Sequence, residues 1–203
     1  MKITKVIQQK NDPNRFSLFS EGQYVGSATV ENLSPYGYGE FEISDEDFQK
    51  LMDQDDFEKA LSRSIKYVAR AMKTSKEVRD YLYKHKIDPQ IHDQIIERLE
   101  DLGLIDDQRY LEMYLEEKFS YGLDGSMKIK NKLFLKGFSS SQVDALLYKY
   151  RDQEEENLKK LIENNMNSSR AKDKNKMIRF LMNKGYHYGM IADIIGSYYN
   201  NDW

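Results

Sequence analysis

KIKNKLFLKGF, Lys128 to Phe138, decides the fold, because the same pattern occurs three times in the chain. EVRDYLYKHKI, Glu77 to Ile87, and KMIRFLMNKGY, Lys176 to Tyr186, align with it without gaps. Each has an apolar residue (Val78, Ile129, Met177), a leucine four later (Leu82, Leu133, Leu181) and an apolar or aromatic residue five beyond that (Ile87, Phe138, Tyr186). The leucines lie 51 and 48 residues apart. The four-residue step sets one face of a helix. Gly137 and Gly185 stand where a helix ends in a left-handed residue, and Lys86 takes that place in the first copy.

Helical periods flank each copy. FEKALSRSIKYVARAM, DQRYLEMYLEEKF and EENLKKLIENNM precede them, while IHDQIIERLEDL, VDALLYKY and MIADIIGSYY follow. A three-helix unit used three times therefore accounts for Asp56 to Tyr199. Thr74-x-x-Glu77 and Ser139-x-x-Gln142 have the capping-box pattern, and Asp88-Pro89 is an N-cap followed by proline at the first helical position. Before the repeats, residues 2–30 alternate apolar and polar around two turn signals, Asn11-Asp12-Pro13-Asn14 and Glu21-Gly22, which predicts a small antiparallel meander. Ser44-Asp45-Glu46-Asp47 then opens a lead-in helix. The expected architecture is mainly α: three tandem three-helix repeats in an elongated curved array after a β extension. The segments are 1–44, 45–105, 106–151 and 152–203, and the polar connector Asn164 to Lys176 is expected to be the most mobile part.

Composition narrows the function. The chain has 203 residues, 32% of them charged, three prolines and no cysteine, which excludes disulfides, thiolate metal sites and a cysteine nucleophile. No apolar run approaches the roughly 18 residues of a membrane-spanning helix, so the expectation is a cytoplasmic protein. Net charge is only −3, but its distribution is uneven. Nine acidic residues face two arginines between His92 and Glu117, whereas Lys118 to Arg151 has seven basic residues against Asp124 and Asp144. Arg170 to Lys184 adds six more against Asp173.

Little here suggests catalysis. Asp106 and Asp107 stand side by side before an apolar period, as a metal pair might, yet an N-cap followed by an acidic first-turn residue explains both. His85 and His92 are separated by Asp88-Pro89, and His187 is remote in sequence. Gly122 to Gly125, GLDG, reads as a turn rather than a phosphate cradle. Tyr110 and Tyr114 have the spacing of packed core side chains. The best binding candidates are Lys128, Lys130, Lys132 and Lys136, echoed in the third copy by Arg170, Lys172, Lys174 and Lys176, with Lys118 and Arg179 beside them. Two basic faces at equivalent places predict a track for a phosphate backbone or an acidic protein groove.

SKEVRDYL (Ser75 to Leu82), LGLIDDQRY (Leu102 to Tyr110), the KIKNKLFLKGF segment and RFLMNKGY (Arg179 to Tyr186), in this order and spacing, resemble the RecX family of bacterial regulators of the RecA recombinase. The resemblance covers nearly the whole chain, and the N-terminal strands look like the extension of Gram-positive members. Lys86 replaces the family's usual glycine, and Tyr110 stands where many members have phenylalanine. The resemblance implies a non-enzymatic protein without cofactors that binds RecA, or RecA filaments on single-stranded DNA. It would inhibit recombinase, ATPase and coprotease activity and so modulate DNA repair and the SOS response. No membrane or small-molecule substrate is implied. A module that binds single-stranded nucleic acid directly is the alternative. Reversing Lys128, Lys132 and Lys136 to glutamate is expected to weaken filament binding without unfolding the protein.

Overall fold

A computed structural model describes residues 1–169 and 171–199. Two compact units divide the chain: Met1–Ala71 with Tyr81–Leu104, and Met72–Asp80 with the chain from Ile105 onward.

The first unit begins with the expected meander. Strands β2 (Lys5–Gln8), β3 (Arg15–Ser20) and β4 (Gln23–Thr29) pair antiparallel in sequence order, while β1 (Lys2–Ile3) pairs with the later β5 (Phe41–Glu42). The tight β3–β4 turn needs two left-handed residues, and Glu21 (φ 49°) and Gly22 (φ 81°) supply them. A one-turn helix α1 (Val30–Leu33), capped by Thr29, lies between β4 and β5. The sheets bury Ile3, Leu18 and Ala28 with Leu33, Ile43 and Leu51.

Helix α2 (Asp45–Val68) starts on Ser44, whose hydroxyl accepts the Asp47 N–H, and runs unbroken for 24 residues. The expected lead-in helix and the first helix of repeat one are thus one element. The polar run Asp53 to Asp56, which obscured the continuity, includes a buried residue. Asp55 is 1% exposed; it pairs with Arg15 of β3, accepts from Ser27 Oγ of β4 at 2.9 Å and meets Lys59 at 2.6 Å. A buried carboxylate with two cations and a hydroxyl is satisfied where a lone one would be costly, so this cluster ties the β extension to α2. After α3 (Ser75–Lys84), Asp88 caps a 3-10 turn at Pro89–Ile91 that leads into α4 (His92–Asp101). His92 is fully buried, with Nε2 3.0 Å from the Ile87 carbonyl.

The second unit has two cores. Helices α5 (Asp107–Tyr121), α6 (Ser126–Leu135) and α7 (Ser140–Leu147) bury Leu111, Leu115, Phe119, Ile129, Leu133, Phe138 and Val143. Helices α8 (Arg151–Glu163), α9 (Lys174–Asn183) and α10 (Tyr188–Tyr199) bury Leu158, Ile162, Met177, Leu181, Tyr186, Ile191 and Ile195. Both capping boxes form: Thr74 and Glu77 exchange bonds of 3.2 Å, and Ser139 and Gln142 do the same. In the connector, Met166 and Ala171 pack against the last core, so this segment buries more than its polarity suggests.

Candidate functional site

The paired aspartates are helix-start devices. Asp106 Oδ1 accepts the Arg109 N–H at 2.9 Å and caps α5. Asp107 reaches elsewhere: its Oδ1 accepts the Ser75 N–H at 2.8 Å, the first of α3. Glu154, in the first turn of α8, repeats this by accepting the Ser126 N–H of α6 at 2.6 Å. Each carboxylate meets an otherwise unsatisfied donor at the positive end of a helix. Among the described residues, no group of three or more His, Cys, Asp or Glu is arranged to hold a metal.

Helix ends complete these joints. Thr74 Oγ1 donates to the Lys136 carbonyl at 2.8 Å, so the end of α6 meets the start of α3. Gly125 N donates to the Lys184 carbonyl at 2.8 Å and Met127 N to the Gly185 carbonyl at 3.0 Å, so the end of α9 meets the start of α6. Gly137 (φ 101°) and Gly185 (φ 94°) turn these corners. A Cβ on Gly185 would collide with Lys128 Cβ and stand 2.6 Å from Lys128 N; one on Gly137 would lie 2.7 Å from Lys76 Cβ. Glycine is required there by conformation and by space. Lys86 makes the same turn at φ 57°, with Ile87 N donating to the Leu82 carbonyl as Phe138 N does to Leu133 and Tyr186 N to Leu181.

The lysines of the expected track in repeat two all have carboxylate partners, and Lys136 spans one of these joints. Lys128 and Lys132 both hold Asp124, each at 2.9 Å. Burial works against the Asp124 carboxylate, yet the hydrogen bonds from the two ammonium groups outweigh it and hold its pKa below the usual value. Lys136 spans 59 residues to Glu77 at 2.6 Å and lies 5.7 Å from the Tyr110 ring centre. Burial opposes its charge too, but Glu77 raises its pKa overall. Lys130 forks onto Asp144 at 2.6 and 2.8 Å. Lys118 pairs with Glu117 at 2.5 Å, a hydrogen bond that raises its pKa, and sits 5.0 Å from the Tyr114 ring centre.

This arrangement adds a stability cost to reversing Lys128, Lys132 and Lys136, which the sequence alone did not show. A carboxylate at those positions would face Asp124 or Glu77. The missed signal was partly legible, since Asp124 stands four residues before Lys128 and eight before Lys132. Glu77, by contrast, is brought to Lys136 only by the fold.

The remaining candidates lie on repeat three. Lys172, Lys174 and Arg179 are exposed and have no ion pair among the described residues; Arg179 Nε donates to the Asn175 carbonyl of its own helix. Lys176 is 3.9 Å from Asp173 and 64% exposed along its side chain, so that pair is weak. Arg170 lies outside the described residues. Tyr110 and Tyr114 pack against the repeat-two core, as their spacing predicts. Tyr186 is buried, its hydroxyl 3.3 Å from the Leu123 carbonyl, and burial raises its pKa.

Comparison with known proteins agrees with the repeated architecture. Residues 60–99 match the model of the first three-helix domain of RecX, and residues 152–195 that of the third. The chain is 30% identical to the regulatory protein RecX of Clostridium perfringens strain SM101, across 100% of this chain and 98% of that one. It is 28% identical to the regulatory protein RecX of Clostridium acetobutylicum, across 95% and 94%. A crystal structure of regulatory protein RecX superposes with a TM-score of 0.74 at 23% identity, over 97% of this chain and 98% of the other, which speaks for the fold. Two domain models in register with the repeats and a full-length relative at this identity place the chain in the RecX family of regulatory proteins.

Proposed function

We propose that this chain regulates the RecA recombinase by binding RecA, or RecA filaments on single-stranded DNA, and that it inhibits their recombination, ATPase and coprotease activities. The observation that carries the reading is the match along the entire chain to a regulatory protein RecX. Action by binding rather than turnover suits side chains that are spent on capping and packing: the adjacent carboxylates Asp106 and Asp107 hold two helix starts. Lys172, Lys174 and Arg179 of repeat three, exposed and without carboxylate partners among the described residues, are the cations best suited to polar contact with the filament. These cations suit a phosphate backbone or an acidic protein surface. Lys118, Lys128, Lys130, Lys132 and Lys136 each already have a carboxylate partner within the chain, so they would meet a filament with part of their charge offset.

Filament pelleting, with and without this protein, tests the reading. Co-sedimentation with RecA on single-stranded DNA, and its weakening by Lys172→Glu with Lys174→Glu and Arg179→Glu, are the expected results. Absence of co-sedimentation by the folded wild-type chain would sink the proposal. Those cations also favour a second reading, direct capture of the single strand; equal binding to DNA with and without RecA would select it.

A further inference from the structure

The joints described above use one receptor twice. Its first jaw is a carboxylate four residues before the first buried apolar residue of a repeat's opening helix: Asp107 before Leu111, and Glu154 before Leu158. Its second jaw is the left-handed corner after the repeat's middle helix, at Lys136-Gly137 and Lys184-Gly185. Between the jaws sits the start of another helix, α3 in one case and α6 in the other, with its first N–H on the carboxylate. At the first joint a carboxylate of the incoming helix, Glu77, also pairs with a cation of the corner, Lys136.

Repeat one has both jaws. Asp56 lies four residues before buried Ala60, and His85-Lys86 forms the corner at φ 57°. Both line one cleft of about 360 Å³, with Arg63 on its wall and Ile87 and Ile91 among its apolar lining. No described hydrogen bond from a helix start reaches the His85 or Lys86 carbonyl. Asp56 is exposed and, among the described residues, its one ion-pair partner is Lys59, at 3.9 Å. Arg63 and Lys86 are exposed, without an ion pair among the described residues.

We propose that this cleft is a third helix-start receptor, used for a partner protein, and that its occupant is the N-terminus of an α-helix with a carboxylate in its first turn. Asp56 takes the leading N–H groups, as Asp107 and Glu154 do, while Arg63 and Lys86 take the carboxylate, as Lys136 takes Glu77. A second copy of the chain fits poorly. The start of α9 is already capped by Asp173, and Lys172, Lys174 and Lys176 would face Arg63 and Lys86. Lys86 also has a Cβ where glycine admits close approach at the other two corners. An incoming helix is therefore held less closely, as suits a partner that exchanges.

The probe is a peptide of residues 72–84, a helix start the chain already seats internally, closed into a helix by a lactam between its Asp80 and Lys84 side chains. Titrated into the intact, isotope-labelled protein, it is expected to shift the amide signals of Asp56, Arg63 and Lys86. Arg63→Glu with Lys86→Glu should weaken it about tenfold. Lys86→Gly should tighten it, and Glu77→Lys in the peptide should abolish the shifts. Shifts confined to Lys136-Gly137, no shifts at all, or unchanged affinity in both protein variants would overturn the proposal. Should the double variant misfold, the Lys86→Gly arm decides. The assay contains no recombinase, so its outcome is independent of the proposed function.

Discussion

Gly185→Ala and Lys86→Gly exchange the same two kinds of residue at equivalent corners, and the structure predicts opposite signs. At Gly185 the backbone has φ 94°, and an added methyl group would collide with Lys128 Cβ and lie 2.6 Å from Lys128 N. Holding a non-glycine residue at positive φ costs about 1–2 kcal/mol. Relieving the collision separates α9 from α6 and strains two bonds, Gly125 N to the Lys184 carbonyl and Met127 N to the Gly185 carbonyl. Each contributes about 0.5–1.5 kcal/mol, so the total loss is about 2–5 kcal/mol. Lys86→Gly removes the left-handed penalty without opening a contact and returns about 0.5–1 kcal/mol of it as glycine's extra unfolded entropy, leaving a gain of about 0–1.5 kcal/mol. Urea unfolding followed by far-ultraviolet circular dichroism reads both changes. With a slope of about 2 kcal/mol per molar urea, the middle of the usual range, the Gly185→Ala midpoint should fall by about 1–2.5 M. A Gly185→Ala midpoint within 0.2 M of wild type, at about the resolution of such a curve, would refute the argument that the joint demands glycine.

Three further outcomes follow from the same joints. Asp124→Asn should cost about 0.5–1 kcal/mol near neutral pH; because the native carboxyl titrates below its ordinary value, the stabilisation exists above about pH 4 and is lost as pH falls through the lowered value, so wild-type and variant urea midpoints should converge as the pH is taken below it. Glu154→Ala should leave the Ser126 N–H without its acceptor, cost about 1–3 kcal/mol and speed hydrogen exchange at that amide, whereas Glu154→Gln, which keeps an oxygen, should cost less. Reversal of Lys128, Lys132 and Lys136 should lower thermal stability by calorimetry, while reversal of Lys172, Lys174 and Arg179 should leave it nearly unchanged.

The helices were legible because their signals are local. Leu82, Leu133 and Leu181 recur on one face, and Thr74-Glu77, Ser139-Gln142 and Asp106 announce starts that the structure shows bonded. What stayed hidden depends on partners distant in the chain. Asp55 reads as one more surface acid of a polar run, yet the sheet brings Arg15 and Ser27 to it and buries it. The basic residues of repeat two look unpartnered when counted alone, whereas the fold sets Asp124, Asp144 and Glu77 against Lys128, Lys130, Lys132 and Lys136. Asp107 was legible as a first-turn acid, while its service to α3 was not, because Ser75 lies 32 residues away. Periodicity thus revealed the scaffold, and tertiary pairing reassigned the charges.

The single-strand-dependent ATPase of the cognate RecA, with this protein titrated from well below one copy per RecA to equality, tests the central claim most directly. Regulation at the filament predicts strong inhibition at substoichiometric ratios, partly relieved when Lys172, Lys174 and Arg179 are reversed. Unchanged ATPase at equal stoichiometry, with the protein shown to be folded, would contradict it.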